Sequence, residues 1–535
     1  MGIVGSPGRT LRSLHHTVDE ERIKHRGRDW ILAASMANLC LLRVSLRIFS
    51  DSALLPRYSA HYYEAILGNI VLLTFVWWSL LRLGRRGHQR GYLKVFQATP
   101  LLALAITANN MRDLVPGPIH VGLFILYLGA KGFVAFCFLL GISVLYLVWT
   151  RFRSCLALTE FFFLIASLCI VITVGACVWH LKSRPAMLAN ASANQMIERV
   201  DVPNRVVWLL FDGLDQRLSF DDRPGGITLP ELARLRSSAI YATNAIPPST
   251  ETRLSIPSLL TGRFVSATDL EEDPFRITFQ DCGTASPMDQ EETLFSKARQ
   301  RGIATAVAGW YLPYCRTFGK DLTECAWEPF YGSSIEENGT VDQLIPLQLR
   351  TILPSERHRK HLEAYWAILE KARRFTVDSR FGLVYVHWPI PHGPGIYDRR
   401  KRQFTVVTWQ RLEDWYLDNL TLADQTIGEI RRAMEKTGVW DNTTVLITSD
   451  HSWTLSKTFD GKEDSRVPFL LKLPGQTTPV TYEARFNTIL IHDLLLEILS
   501  GRLSSTSEIV PWLDRDRSAA RAPCTPGSLL PKPEK

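Results

Sequence analysis

Two apolar runs in this chain stop on aspartate. VVWLLFDG ends at Asp212 and Gly213, and VLITSDH ends at Asp450 and His451. Taken singly, a strand that closes on Asp and enters a turn is ordinary turn or helix-cap chemistry. Taken together, two carboxylates and an imidazole at one sheet edge make a hard-to-borderline donor set suited to a divalent metal such as Zn2+ or Mn2+. A third segment, PPSTETRLSIPSLLTGR, places Thr252 where a helix over about 253–260 would begin. There the hydroxyl is either an N-cap, worth about 1 kcal/mol, or a nucleophile, because helix N–H groups and a nearby cation favour its alkoxide. A cap needs no metal; a nucleophile does.

These residues act together only if a sheet brings the strand ends to one edge. Apolar runs that read as buried strands recur at 205–212, 302–310, 381–388, 443–450 and 466–474, and helical spacing appears at 229–239, 358–375, 408–436 and 488–499. Buried strands alternating with helices predict an α/β domain with a mostly parallel central sheet covered on both faces. In such sheets ligands bind beyond the carboxyl ends of the strands. The domain is expected over 205–513, followed by a Pro-, Arg- and Ala-rich tail at 514–535 that is too polar to pack.

The first third of the chain has a different character. Apolar stretches at 62–81, 132–149 and 157–181 each approach the 20 or so residues that a bilayer requires. Residues 30–48 contain Arg43 and Arg47, and 95–111 contain Pro100, Asn109 and Asn110, so these spans are less clean. Basic residues cluster before the first span, at 82–94, and at Arg151 and Arg153. Five spans with an inside N-terminus place all three clusters in the cytoplasm. The expected organisation is a cytoplasmic tail (1–29), a five-helix transmembrane domain (30–182), a linker (183–204) and an exported catalytic domain. The polar N-terminal stretch lacks the form of a removable signal peptide. The alternative for any one span is a buried helix of a soluble core.

Composition supports this division. The chain has 535 residues, 46% hydrophobic and 21% charged, which excludes a disordered acidic chain, a collagen-like repeat and a small disulfide-stapled fold. The net charge of +8 is mainly topological, and no nucleic-acid partner is expected. Five of the nine cysteines lie in the apolar half. Of the others, Cys315 and Cys325 are candidates for a bridge if the domain is exported into an oxidising compartment.

The order of Asp212, the Thr252 segment, a PHGP loop and the Asp450–His451 pair resembles the alkaline phosphatase superfamily, in its sulfatase-type branch. T-x-L-S-x-P starting at Thr252 is similar to the nucleophile motif of lipid A phosphoethanolamine transferases, and SLLTGR and RVPFLLKLPG resemble sulfatase segments. Five spans before an exported domain are similar to those transferases and to lipoteichoic acid synthases. The resemblance implies that Asp212, Thr252, Asp450 and His451 hold one metal, with Thr252 the nucleophile. It implies Zn2+, with Mn2+ or Ca2+ as alternatives. His392 of PHGP matches a family histidine that contacts the transferred group. His387 opens the same segment and is expected beside the substrate; a satisfied histidine at a strand end is the bland alternative. Lys462 is a candidate for neutralising an equatorial oxygen of the substrate, although a loop lysine of this kind is more often simply solvated.

The departures from the family pattern matter. The transferases usually carry Glu where Asp212 stands, Trp388 occupies the place of a second-metal Asp, and Ser452 replaces a frequent Gly. Threonine at 252 closes the formylglycine route of sulfatases. The expected activity is transfer of a phospho-headgroup, phosphoethanolamine or phosphoglycerol in type, from a membrane phospholipid to an envelope lipid or glycan. The expected location is a bacterial-type inner membrane with the catalytic domain on the periplasmic or extracellular side. Alternatives are a sulfate or phosphate ester hydrolase and a non-catalytic envelope binding protein.

Overall fold

The computed structural model describes residues 27–49, 60–86, 91–111, 135–136, 138–143, 146–183, 204–271, 274–281, 283–330, 356–406 and 412–516. The chain divides into two compact units, with the described residues up to 183 in one and those from 204 onward in the other.

The first unit is helical. Two of its helical stretches, Tyr62–Arg86 and Phe152–Lys182, are long and apolar enough to cross a membrane. The second bends at Ala166–Ser167, between helices Phe152–Ile165 and Leu168–Ser183. It keeps Leu158, Leu168, Val171, Ile172 and Trp179 at least 70% exposed, and five such side chains on one helical stretch suit lipid far better than water. The other expected spans take different forms. Residues 27–40 and Leu42–Phe49 are separate helical pieces, and 95–111 is split between the end of a 3-10 helix, Gly91–Ala98, and the short α-helix Thr99–Met111. Pro100 opens that helix, where the missing N–H costs nothing. In 132–149 the described residues, 135–136, 138–143 and 146–149, are helical, and the others lie outside the described residues.

The second unit is built on an eight-stranded sheet. Its strands are β1 Arg205–Asp212, β2 Ile240–Ala242, β3 Thr305–Tyr311, β4 Glu324–Pro329, β5 Leu383–Pro391, β6 Thr443–Ser449, β7 Phe469–Lys472 and β8 Val480–Tyr482. They lie in the order β8-β2-β7-β6-β1-β5-β3-β4. The five strands from β6 to β4 are mutually parallel, and β7 is antiparallel to both of its neighbours, β6 and β2. β1, β5 and β6 are buried along their lengths because helices cover both faces. Val206, Trp208 and Leu210 enter the core on one side, with the helices Thr252–Thr261 and Ile491–Leu499. Val207, Leu209 and Phe211 enter the core on the other, with Glu356–Val377 and Leu412–Lys436. This alternation explains why the run carries no polar residue until it ends.

The structure also adds elements that the periodicity did not reveal. β2, β4 and β8 are short or half-buried, and a separate three-stranded sheet runs through Val265–Asp269, Arg276–Phe279 and Ala285–Pro287. Cys315 and Cys325 form a disulfide. Helix Thr506–Asp516 carries order past 513, into the expected tail; residues 517–535, Cys282 and Cys524 lie outside the described residues.

Candidate metal and nucleophile site

β6, β1 and β5 are neighbours and parallel, so their carboxyl ends meet in the middle of one sheet edge. Trp208 and Leu210, Tyr385, and Leu446 all pack into the core on the Thr252 side. Asp212, His387 and Asp450 continue the same alternation, and one potential ligand atom from each lies within 4.8 Å of the other two. All three residues are buried. Asp212 Oδ1, Asp450 Oδ2 and His387 Nε2 have no hydrogen-bond partner. A buried carboxylate oxygen without a partner costs a large part of its hydration free energy. Three such atoms converging on one point form a cradle that a divalent cation would satisfy.

Local hydrogen bonds hold each group in place. Asp450 Oδ1 accepts from Gly213 N at 3.2 Å and from His451 N at 2.9 Å, which leaves Oδ2 for the site. Gly213 has φ +75°, the left-handed conformation that lets β1 turn sharply after Asp212. Tyr416 Oη donates to Gly213 O at 2.9 Å and accepts from Asp215 N at 3.1 Å, pinning that turn. Ser449 Oγ donates to Phe211 O at 2.6 Å, fastening β6 to β1 at their ends.

Thr252 is the first residue of its helix. Glu251 holds the cap position without a side-chain cap bond. The Thr252 hydroxyl therefore does not cap; its Oγ1 lies 3.2 Å from Asp212 Oδ2 and 3.2 Å from His451 Nε2. His451 Nδ1 donates to Ser452 O at 2.7 Å, so Nε2 is the bare nitrogen facing Thr252. It also lies 3.5 Å from both Asp212 Oδ1 and Asp450 Oδ2. Asp212, Thr252, Asp450 and His451, spread over 240 residues of sequence, share one site.

His387 occupies a different place from the one expected. It was assigned to the substrate side, but β5 pairs it with Leu210 of β1, two residues short of Asp212, and buries it completely. Its Nε2 joins the carboxylates, 3.7 Å from Asp212 Oδ2. His392 is reached through the backbone: its N–H donates to Asp212 O at 3.0 Å, and its Nδ1 donates to Gly393 O at 2.8 Å. Asn419 Nδ2 donates to His392 O and Pro394 O at 3.0 and 3.1 Å, and His361 Nε2 lies 3.1 Å from the same His392 carbonyl. Lys462 is not brought to the cluster. Its ammonium is 2.7 Å from Asp222 Oδ2 on an exposed rim, because the Asp460–Lys462 turn faces the 217–222 segment. Tyr416, Asn419, His361 and Ser449 were not visible to motif reading, since each acts through a contact distant in sequence.

The electrostatics show a site short of positive charge. For Asp212, burial opposes ionisation, yet His392, His387 and His451 together hold its carboxyl well below the usual range. Asp450 is pushed up by burial and by the charge of Asp212. For His451, burial disfavours the imidazolium, but Asp450 and Asp212 raise its pKa above the ordinary value. Two buried carboxylates that split in this way gain most from a shared cation.

A family model for sulfatases matches residues 205–500. The chain belongs to the sulfatase family and is an enzyme of the alkaline phosphatase superfamily, whose sulfatase-type members use a divalent metal. No curated protein matches the chain. Similar solved structures include Ps i-CgsB, at 13% identity and a TM-score of 0.41, covering 57% of this chain and 74% of that one. The phosphonate monoester hydrolase of Agrobacterium radiobacter shows 13% identity and a TM-score of 0.38, covering 55% and 73%. The lipoteichoic acid synthase LtaP from Listeria monocytogenes shows 13% and 0.37, covering 59% and 76%. Likeness at this level says nothing about substrate.

Proposed function

We propose that this enzyme transfers a phospho-headgroup, phosphoethanolamine or phosphoglycerol in type, from a membrane phospholipid to an envelope lipid or glycan through a phosphothreonine at Thr252. The observation that carries the reading is the Thr252 hydroxyl, which leaves its helix uncapped to sit 3.2 Å from Asp212 Oδ2 and His451 Nε2. Asp212 and Asp450 hold one divalent cation together with Thr252 and His451, and His387 adds a further nitrogen. The ion is Zn2+ on the donor set of oxygen and imidazole, with Mn2+ or Ca2+ as alternatives. When bound, it supplies the positive charge that favours a threonine alkoxide and neutralises phosphoryl oxygens.

The chain's own groups do the rest. The proton of Thr252 leaves towards Asp212 Oδ2, the oxygen its hydroxyl already faces. Thr252 Oγ1 bonds to phosphorus as the bond to the diacylglycerol oxygen breaks, and that oxygen takes a proton from the His392 side of the site. An acceptor hydroxyl then displaces Thr252, its proton replacing the one lost from the His392 side, and Thr252 Oγ1 recovers its own proton from Asp212. In-line positioning and charge neutralisation are the main requirements of such steps. The two long apolar helices, with their exposed aliphatic and aromatic side chains, support a lipid donor and a site kept near a bilayer. The Cys315–Cys325 bridge supports an oxidising, exported location for the catalytic unit.

The test is Thr252→Ala in membranes supplied with labelled phosphatidylethanolamine or phosphatidylglycerol, with mass spectrometry of Thr252 in the wild-type chain. Loss of turnover together with a phosphorylated wild-type Thr252 is expected; undiminished turnover would dismiss the nucleophile. Membership of the sulfatase family favours a second reading, hydrolysis of phosphate or sulfate esters by the same covalent step with water as acceptor. Product analysis with and without acceptor lipids separates the two.

A further inference from the structure

Tyr314 takes no part in the steps above, yet its hydroxyl lies 2.9 Å from Nδ1 of His387. It also lies 3.2 Å from the hydroxyl of Tyr385. All three side chains are fully buried. The contact constrains the imidazole. With Nδ1 held by a phenol, Nε2 is the nitrogen left to face Asp212 and Asp450, and it is the one without a hydrogen-bond partner. Burial keeps the phenol neutral, raising its pKa well above the ordinary value. It therefore has one hydrogen to give and a lone pair to receive one. If Nδ1–H donates to Tyr314, the hydrogen of Tyr314 passes to Tyr385, and Nε2 keeps a bare lone pair towards the carboxylates.

The fold builds a seat for this phenol. Gly309 on β3 lies against the ring, and a Cβ there would overlap Cδ2, Cε2 and Cγ of Tyr314. The next residue, Cys315, is bridged to Cys325 on β4, so the short helix Tyr314–Phe318 is tied covalently to the sheet beside the ring. Tyr314 N donates to Leu312 O at 2.8 Å, and the ring packs on Tyr385 at 5.6 Å and Phe318 at 6.1 Å. Few rotations of the ring remain.

We propose that Tyr314 is a positioning residue for the metal site: its hydroxyl, backed by Tyr385 and seated by Gly309 and the Cys315–Cys325 bridge, fixes the His387 ring so that Nε2 is presented to a divalent cation shared with Asp212 and Asp450. The inference rests on the reading that these residues hold a cation, and the groups that orient a ligating imidazole commonly control affinity by 10- to 100-fold.

The test is titration of the metal-stripped full-length chain, purified in detergent, with Zn2+ and with Co2+, whose visible absorption reports the ligand field. Tyr314→Phe, which removes only the hydroxyl, is expected to weaken binding about 10- to 100-fold and to shift the Co2+ bands. Tyr385→Phe leaves the Tyr314–His387 bond in place and should lose less. Gly309→Ala, which displaces the ring, should match or exceed Tyr314→Phe, and its melting temperature reports whether the chain still folds. A wild-type chain that binds Co2+ beside a Tyr314→Phe variant of unchanged affinity and spectrum overturns the inference alone. A His387→Ala variant with wild-type affinity overturns it as well. A wild-type chain that takes up neither ion overturns the metal reading and this inference with it.

Discussion

Two clusters of aspartates in the catalytic unit invite comparison. At the sheet edge, Asp212 and Asp450 are buried and present oxygens with no partner. On the rim, Asp221, Asp222, Asp460 and Asp464 are matched to cations of the chain itself. Arg217 lies 2.6 Å from Asp460 and 3.6 Å from Asp222, Lys462 lies 2.7 Å from Asp222, and Arg466 lies 2.8 Å from Asp221 and 2.5 Å from Asp464. Every rim carboxylate lies against a cation of the chain itself. The edge cluster has buried oxygens that no cation of the chain pairs with, which marks it as the place where a metal ion would sit. A third case shows that burial alone does not make a site. Asp424 is equally buried, but it accepts from Leu232 N at 2.8 Å and Glu231 N at 3.3 Å, and so caps the start of helix Pro230–Arg236.

The largest effect is expected where the imbalance is greatest. Asp450→Asn should release the metal and lower turnover by about 10³-fold or more, measured by metal analysis and initial rates; retention of both would place Asp450 with the structural carboxylates. Next comes Asp424. Burial raises its pKa to about 6 from 3.8. Between those values the folded chain binds more protons than the unfolded one, so stability is full below about pH 4 and falls as pH rises through 6, by at most about 3 kcal/mol. Asp424→Asn should flatten that slope in melting curves taken from pH 4 to 7, and an unaltered slope would assign it to other groups.

Smaller effects belong to the rim. Arg217→Ala removes a nearly buried guanidinium from two partly exposed carboxylates and should cost about 1–2 kcal/mol of stability in denaturant titrations. Turnover of the folded fraction should fall far less than in Asp450→Asn; a comparable fall would join rim and edge into one site. Lys462→Ala should leave stability essentially unchanged in denaturant titrations, since its pair with Asp222 is exposed. A turnover change beyond about twofold would return Lys462 to the substrate.

Motif reading reached some of these residues and missed others for a physical reason. Asp212 and Asp450 were legible because a fully buried strand tolerates no polar side chain until it leaves the core, so the residue that ends the run stands out. Thr252 was legible as the start of a helix, but only its contact with Asp212 and His451 separates a nucleophile from a cap. His387 sits inside the apolar run of β5, where an imidazole reads equally as a satisfied core group; its partner Tyr314 lies 73 residues away in sequence, and Tyr385, which backs Tyr314, is spaced like a core aromatic. Lys462 had a plausible position in the order of motifs and the wrong neighbour in space. Among the helices of the first unit, hydropathy marked Tyr62–Arg86 and Phe152–Lys182 well, whereas Pro100 and the break at Leu41 shorten the other described stretches.

Composition and periodicity alone determined an apolar helical region followed by alternating buried strands and helices, because side-chain spacing must match the period of whatever face it buries. They also determined which polar residues stand at strand ends. Strand order was decided only in the folded chain: β6, β1 and β5 lie side by side because the helices between them cross over the sheet, and no local pattern encodes that adjacency. The same adjacency brings Asp212, Asp450 and His387 together, each with one buried polar atom that no hydrogen bond satisfies, which is the feature that fits a cation.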